Sequence, residues 1–244
     1  MKLTTEKKLS FLMGYTVVSS LVFIFFMVSS FREKDKEQKL DELTVKRINV
    51  IGEDGSYRMV ISNEVRQHPG RVVGKNLPKR DRPAGLIFFN NEGDECGGLT
   101  YTAETKNGKA SNDLSFTMDQ YHEDQVVQIL NAEEFDNDKV TIKRGVVIND
   151  YPAGGDIYER VEKIKAIQQI KDTTVRAEKL KALAQAIGVK NRLFIGRTRE
   201  NSSGLFLADP TGKVRMKIYV DDKGNPKIET LNDKGEFKDY LAGK

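Results

Sequence analysis

Residues Leu205 to Phe237, LFLADPTGKVRMKIYVDDKGNPKIETLNDKGEF, break into short apolar runs separated by Pro210-Thr211-Gly212-Lys213, Asp222-Lys223-Gly224-Asn225 and Asp233-Lys234-Gly235-Glu236. Each interruption reads as a hairpin turn. Glycine supplies the positive φ that a tight turn needs, and the neighbouring Asp or Asn bonds its own backbone. Between the first two turns Val214, Met216, Ile218 and Val220 alternate with Arg215, Lys217 and Tyr219. A period of two is the pattern of a strand with one buried face, so the stretch predicts a β-meander.

The same grammar recurs upstream. In Thr44 to Asn63 two apolar runs flank Glu53-Asp54-Gly55-Ser56, and a basic residue follows the glycine by three positions, as it does at Gly212 with Arg215 and Gly235 with Lys238. Gly93 leads instead to Cys96, so the repeat is degenerate and fits hairpin physics as well as duplication. Ala84 to Tyr101 holds the run Leu86-Ile87-Phe88-Phe89, expected to be a central strand covered on both faces. Further strands are expected at Leu114 to Met118, Gln125 to Leu130, Val140 to Ile148 and Arg192 to Thr198.

Asp156 to Ile187 departs from this pattern. Asp156 can cap a helix carrying Ile157, Val161 and Ile164 on one stripe, and Asp172 or Thr173 can cap a second carrying Leu180, Leu183, Ala184 and Ile187. Gly188 stands where a left-handed C-cap belongs. The reading is a helical hairpin inserted at about 156–188, its stripe packed on the sheet, with an exposed amphipathic pair that docks a partner helix as the alternative.

Leu9 to Phe31 contains no charged residue, over the length a helix needs to cross about 30 Å of hydrocarbon. It reads as a transmembrane helix, because the run is longer than the apolar core of a cleaved signal peptide. Residues 1–8 form an N-terminal tail, and residues 32–43 a charged, solvated stalk without coiled-coil heptads. Residues 44–244 form the body. Lys2, Lys7 and Lys8 precede the span, while Arg32, Lys34, Lys36 and Lys39 follow it, so charge alone does not set the orientation. Long domains translocate largely regardless of charge, and an outside body is the expectation.

With a formal net charge of +4 over 244 residues, no global field attracts nucleic acid, and no nucleic-acid partner is expected. One local departure stands out. The stretch from Arg66 to Arg82, RQHPGRVVGKNLPKRDR, sets Arg66, Arg71, Lys75, Lys79, Arg80 and Arg82 against Asp81 alone. Pro69, Pro78 and Pro83 deny it continuous regular structure. As a long basic loop it is the candidate contact surface for an anionic lipid or polymer, or for another envelope protein, with His68 as a pH-sensitive charge within it. The competing reading is a connection whose arginines pair with nearby carboxylates.

One cysteine and two histidines do not make a structural zinc site. Asp136-Asn137-Asp138 and Asp221-Asp222 lack the rest of a calcium loop, and no phosphate-cradling glycine loop or nucleophile elbow occurs. Neither metal nor cofactor is expected, and no residue is assigned a catalytic role. Cys96 reads as a small buried hydrophobe.

Arg47-Ile48-Asn49-Val50 with Asp54-Gly55, Val60-Ile61-Ser62-Asn63, Ala84-Gly85-Leu86 through Asn91-Glu92-Gly93 to Gly97-Gly98-Leu99, and Gly196-Arg197-Thr198 with Asp209 and Gly212 together resemble a group of uncharacterised bacterial proteins. The resemblance covers about 44–145 and 192–241 and leaves the helical insertion outside it. It implies a single-pass N-terminal membrane segment and a β-rich body, with no activity attached.

The expected fold is therefore mainly β: antiparallel hairpin repeats closed as a barrel or propeller-like ring, with an inserted helical hairpin and an N-terminal transmembrane helix. Closure is expected because many short strands otherwise leave edges exposed. The expected role is binding or scaffolding by a signal-anchored protein of the bacterial inner membrane with a periplasmic body. The alternative is an envelope enzyme acting on a cell-wall or glycan substrate through carboxylates.

Overall fold

The computed structural model describes residues 4–30, 38–137 and 139–242. The chain divides into two units, Met1–Thr44 and Val45–Lys244. In the first, helix α1 (Thr5–Ser30) contains a stretch, Thr5–Val28, long and apolar enough to cross a membrane. The helix begins before Leu9 because its first turn is built from the polar residues Thr5, Glu6, Lys7 and Lys8. Phe31 and residues 32–37 of the expected stalk lie outside the described residues.

The second unit is organised on one antiparallel sheet of twelve strands. Its first members are β1 (Arg47–Ile51) and β2 (Tyr57–Ser62), after which β3 (Arg71–Val72) and β4 (Lys75–Asn76) form a separate ribbon. Then come β5 (Ala84–Phe89), β6 (Glu95–Lys106), β7 (Lys109–Asp119), β8 (Gln125–Asp136) and β9 (Lys139–Asp150). Helices α2 (Ile157–Gln168) and α3 (Thr173–Ile187) interrupt the sheet before β10 (Lys190–Arg197), β11 (Ser203–Ala208), β12 (Val214–Val220), β13 (Pro226–Leu231) and β14 (Phe237–Asp239). Within the sheet every strand lies beside its neighbour in sequence. The meander is real and the fold is mainly β.

The expected closure into a barrel or ring is not found: among the described residues β1 and β14 are not bonded to each other, and the sheet is open. Its edges are kept short instead, with five residues in β1 and three in β14. Short edge strands are another way of limiting exposed backbone.

Among the described residues six turns share two backbone bonds and a positive φ at the fourth residue, which explains the repeat seen in the sequence. In the β11–β12 turn Gly212 N–H donates to Asp209 O and Asp209 N–H to Lys213 O, with Gly212 at φ +85°. This is a type I turn closed by a glycine bulge. The Asp209 carboxylate accepts from the N–H groups of Thr211 and Lys213, and that of Asp221 does the same for Lys223 and Asn225. Turns starting at Gly52, Asn90, Thr198, Asp221 and Asn232 repeat the two backbone bonds, with Asn201 in the glycine position of one of them. Of the basic residues that follow, Arg58 pairs with a turn carboxylate, that of Asp54, at 3.1 Å. The recurring motif is hairpin chemistry.

Register then fixes the two faces, because paired residues in an antiparallel sheet point the same way. One row runs from Ile48 through Ile61, Leu86, Leu99 and Phe116 to Ile129. It continues through Val146, Ile195, Leu205 and Ile218 to Ile228, so eleven strands contribute only apolar side chains. The row beside it, from Val50 through Met59, Phe88, Met118 and Val127 to Leu207, is also apolar apart from Gly97. On the opposite face the corresponding row begins Asn49, Val60, Ile87 and ends Lys217, Glu229, Asp239.

The core sits on that opposite face. Val60, Ile87, Phe89, Val147 and Leu231 are its buried strand hydrophobics, and the buried polar strand residues Ser62, Thr117 and Asn149 face the same way. The segment between β2 and β5 lies over it as a strap, with Val72 buried and His68 set against Tyr57 and Phe89. Toward β14 that face is water-adapted by ion pairs, Lys217 to Glu229 at 2.9 Å and Lys227 to Asp239 at 2.8 Å.

The helical insertion forms where expected. Asp156 accepts from the N–H groups of Tyr158 and Glu159 and caps α2, and Asp172 does the same for α3 through Thr174 and Val175. Two expectations fail. Gly188 is extended, at φ −77°, because the chain turns directly into β10 instead of through a left-handed cap. No residue of either helix is buried, so the stripes do not pack into the sheet. They face each other across a groove of 370 Å³ lined by Ile164, Leu180, Leu183 and Ile187.

Candidate functional site

The strap carries all seven residues singled out as a basic contact surface, and the structure uses them in two ways. Arg66, Lys75, Lys79 and Arg80 are exposed. Arg71, Arg82 and His68 hold the strap down. Arg71 donates to the Glu92 carbonyl at 2.8 Å and lies 3.9 Å from the Asp94 carboxylate. Arg82 makes a two-pronged bond to Glu95, at 2.8 and 2.7 Å, with both side chains largely enclosed. His68 is 6% exposed, edge-on to Tyr57 and Phe89, and its Nδ1 accepts from Gly70 N–H. Burial, followed by the nearby Arg47 guanidinium, pushes the His68 imidazole below its ordinary range. It is a neutral packing residue at neutral pH, not a pH-sensitive surface charge.

At the β5–β6 and β7–β8 turns the strap meets a polar knot. His122, at φ +59°, brings Nε2 to 3.6 Å from Glu92 and 3.8 Å from Asp94, beneath a stacked Tyr121 ring. Three ligand atoms of Glu92, Asp94 and His122 lie within 4.8 Å of one another, a mixed oxygen and nitrogen set of the kind divalent cations take. The carboxylates are nevertheless already engaged. Tyr121 O–H donates to Glu92, Gly74 N–H donates to Asp94, and Arg71 sets a positive charge beside them. The same region ties down the insertion: Arg160 pairs with Glu123 at 2.8 Å over the Tyr151 ring, and Tyr158 O–H donates to the Lys75 carbonyl.

Deeper under the strap, Asp119 is the most perturbed acid. Burial, then the charges of Glu95 and Asp124, raise its carboxyl to about 7, and one of its oxygens has no hydrogen-bond partner. A carboxyl that holds its proton near neutrality is what an acid catalyst needs. The adjoining cavity of 210 Å³, however, is lined by Arg80, Arg82, Glu95, Thr117 and Gln125 and not by Asp119. Burial, then the Asp119 and Glu95 charges, raise the Cys96 thiol, leaving it a poor nucleophile.

The largest feature is the uncovered apolar face. Ile129 is 51% exposed, Ile195 49% and Ile218 41%, although their rows contain no charge. No family model, curated protein or solved structure matches the chain. Function must therefore be argued from this geometry. Alternation in β12 did identify the two faces, but the expectation that Val214, Met216, Ile218 and Val220 are buried inverts the outcome: they belong to the open side. The only signal for this in the sequence is negative. No second set of strands is left over to cover them.

Proposed function

We propose that the chain is a non-catalytic binding or assembly protein of a bacterial envelope. In this reading Thr5–Val28 anchors it in the inner membrane, the body stands on the periplasmic side, and the apolar sheet face makes the contact. The observation that carries the proposal is the pair of continuous apolar rows left facing solvent. Soluble proteins rarely leave contiguous apolar patches larger than a few hundred Å² unless something binds there.

Glutamate at both Ile129 and Ile195 tests the contact. In gently solubilised membranes the wild-type chain should migrate as part of a larger complex, and the double variant at the mass of the single chain. Unchanged migration would remove the sheet face from the proposal. For the anchor, a reporter that matures only outside the cytoplasm, fused at the C-terminus, should be active. An inactive reporter on a stably expressed fusion would place the body on the other side.

A further inference from the structure

We propose that the apolar face pairs with the same face of a second copy of this chain, two open sheets closing into a sandwich across a molecular two-fold axis. This rests on the reading of that face as a contact surface and names its occupant.

Three observations select a copy of the chain. The first is chemistry. The rows through Ile129 and Met118 offer no charge, hydroxyl or amide along most of their length, so a charged or polar partner has nothing to recognise, whereas an identical apolar surface is complementary by construction. The second is area. Neighbouring strands lie about 4.8 Å apart, so the eleven strands of the first row span about 50 Å and the nine of the second about 40 Å, and two adjacent rows with their side chains span about 14 Å. The strip of roughly 600 Å² on each copy, about 1,200 Å² for the pair, reaches the lower end of the range of stable interfaces. The third is the shape of its border. Across β8 to β11 the next row holds Asn131, Arg144, Arg197 and Ser203, so over those strands the strip ends in polar groups that would remain at a wet rim.

Sheet-on-sheet packing needs faces of this kind. Aligned sheets interdigitate side chains at a separation of about 10 Å, and the core so formed is the second layer this body lacks. The opposite face cannot take that role, because the strap covers its apolar half and ion pairs occupy the remainder.

The test uses the full chain in its own membranes with Cys96→Ser, so that each added cysteine is the only one. Ile129→Cys and Ile195→Cys report on the apolar face, and Gln128→Cys, one residue away, on the other. A short bis-maleimide spanning about 10 Å should convert the two apolar-face variants to a band of twice the mass and leave Gln128→Cys single. Those cysteines should also resist a bulky, charged maleimide, which cannot enter an apolar interface that admits the small uncharged crosslinker. Protection without crosslinking would mean that some other molecule covers the face: the binding proposal would stand and self-pairing would fall. Free labelling at Ile129→Cys and Ile195→Cys would overturn both. Equal crosslinking at all three positions would show association through another surface and overturn the pairing.

Discussion

Replacing Gly196 with valine is expected to destabilise the body by about 3 kcal/mol or more, enough to abolish cooperative folding in a marginally stable protein. Gly196 in β10 pairs with Gly145 in β9, at φ +151° and +156°. That backbone region is open essentially to glycine alone, and strain there costs on the order of 1–3 kcal/mol for any other residue. Space is also missing: a Cβ at Gly196 would lie 2.0 Å from the Arg144 carbonyl oxygen, and one at Gly145 would lie 2.1 Å from that of Ile195. Backbone on both sides cannot give way without breaking the ladder between the two strands. Gly224→Asn is the matched comparison. Its φ is +87°, nothing lies within 4 Å of the added Cβ, and Asn201 already occupies the equivalent position of the β10–β11 turn. That change should cost less than about 1 kcal/mol. Chemical denaturation of the detergent-solubilised chain, followed by circular dichroism, reads both, and similar midpoints for the two variants would refute the close-approach argument.

The contrast between these two glycines also marks how far the sequence could be read. Gly224 announces itself through the Asp and Asn beside it, because turn chemistry is local, although the carboxylate that closes the turn is that of Asp221 and not of Asp222, where the sequence pattern begins the turn. The helix caps Asp156 and Asp172 were legible for the same reason. Gly196 looks like any strand residue, since what it meets lies across the sheet. Strand lengths failed similarly. β6, β7 and β8 extend through Thr102–Lys106, Lys109–Asp113 and Asn131–Asp136, where polar residues occupy both sides and no alternation betrays a strand. Backbone pairing carries these extensions together with cross-strand polar pairs, Lys109 to Asp136 at 2.6 Å and Asn112 to Glu133 at 3.1 Å, and a two-residue turn at Asn107-Gly108 with both residues at positive φ caps one of them. The strap was visible as a basic loop, but its acidic partners, Asp94 and Glu95, are contributed by the β5–β6 hairpin. The choice between contact surface and tether for Arg71 and Arg82 therefore depended on tertiary structure.

Arg82→Met should be the other severe change, and a pH-dependent one. Arg82 and Glu95 are 10% and 15% exposed, and removing one member of an enclosed pair leaves the other as an uncompensated charge, a loss of about 3 kcal/mol or more. Asp119 sets the direction of the pH dependence. Its folded carboxyl titrates near 7, above the unfolded value of 3.8, so between those limits the folded state holds a proton that the unfolded state has released. Stability contributed by this group is therefore present below about 4 and lost as pH rises through 7. The Arg82 charge opposes that rise, and without it the Asp119 carboxyl resists ionisation more strongly in the fold. The variant should consequently be far weaker than wild type at pH 8, with a smaller deficit at pH 5. Adding Asp119→Asn removes the titrating acid and should recover part of the loss at pH 8 with little gain at pH 5. Denaturation midpoints of wild type, the single variant and the double variant at the two pH values provide the comparison. If the deficit of Arg82→Met were the same at pH 5 and pH 8, the strap would be held by packing around His68 and Val72, with the ion pair incidental to it.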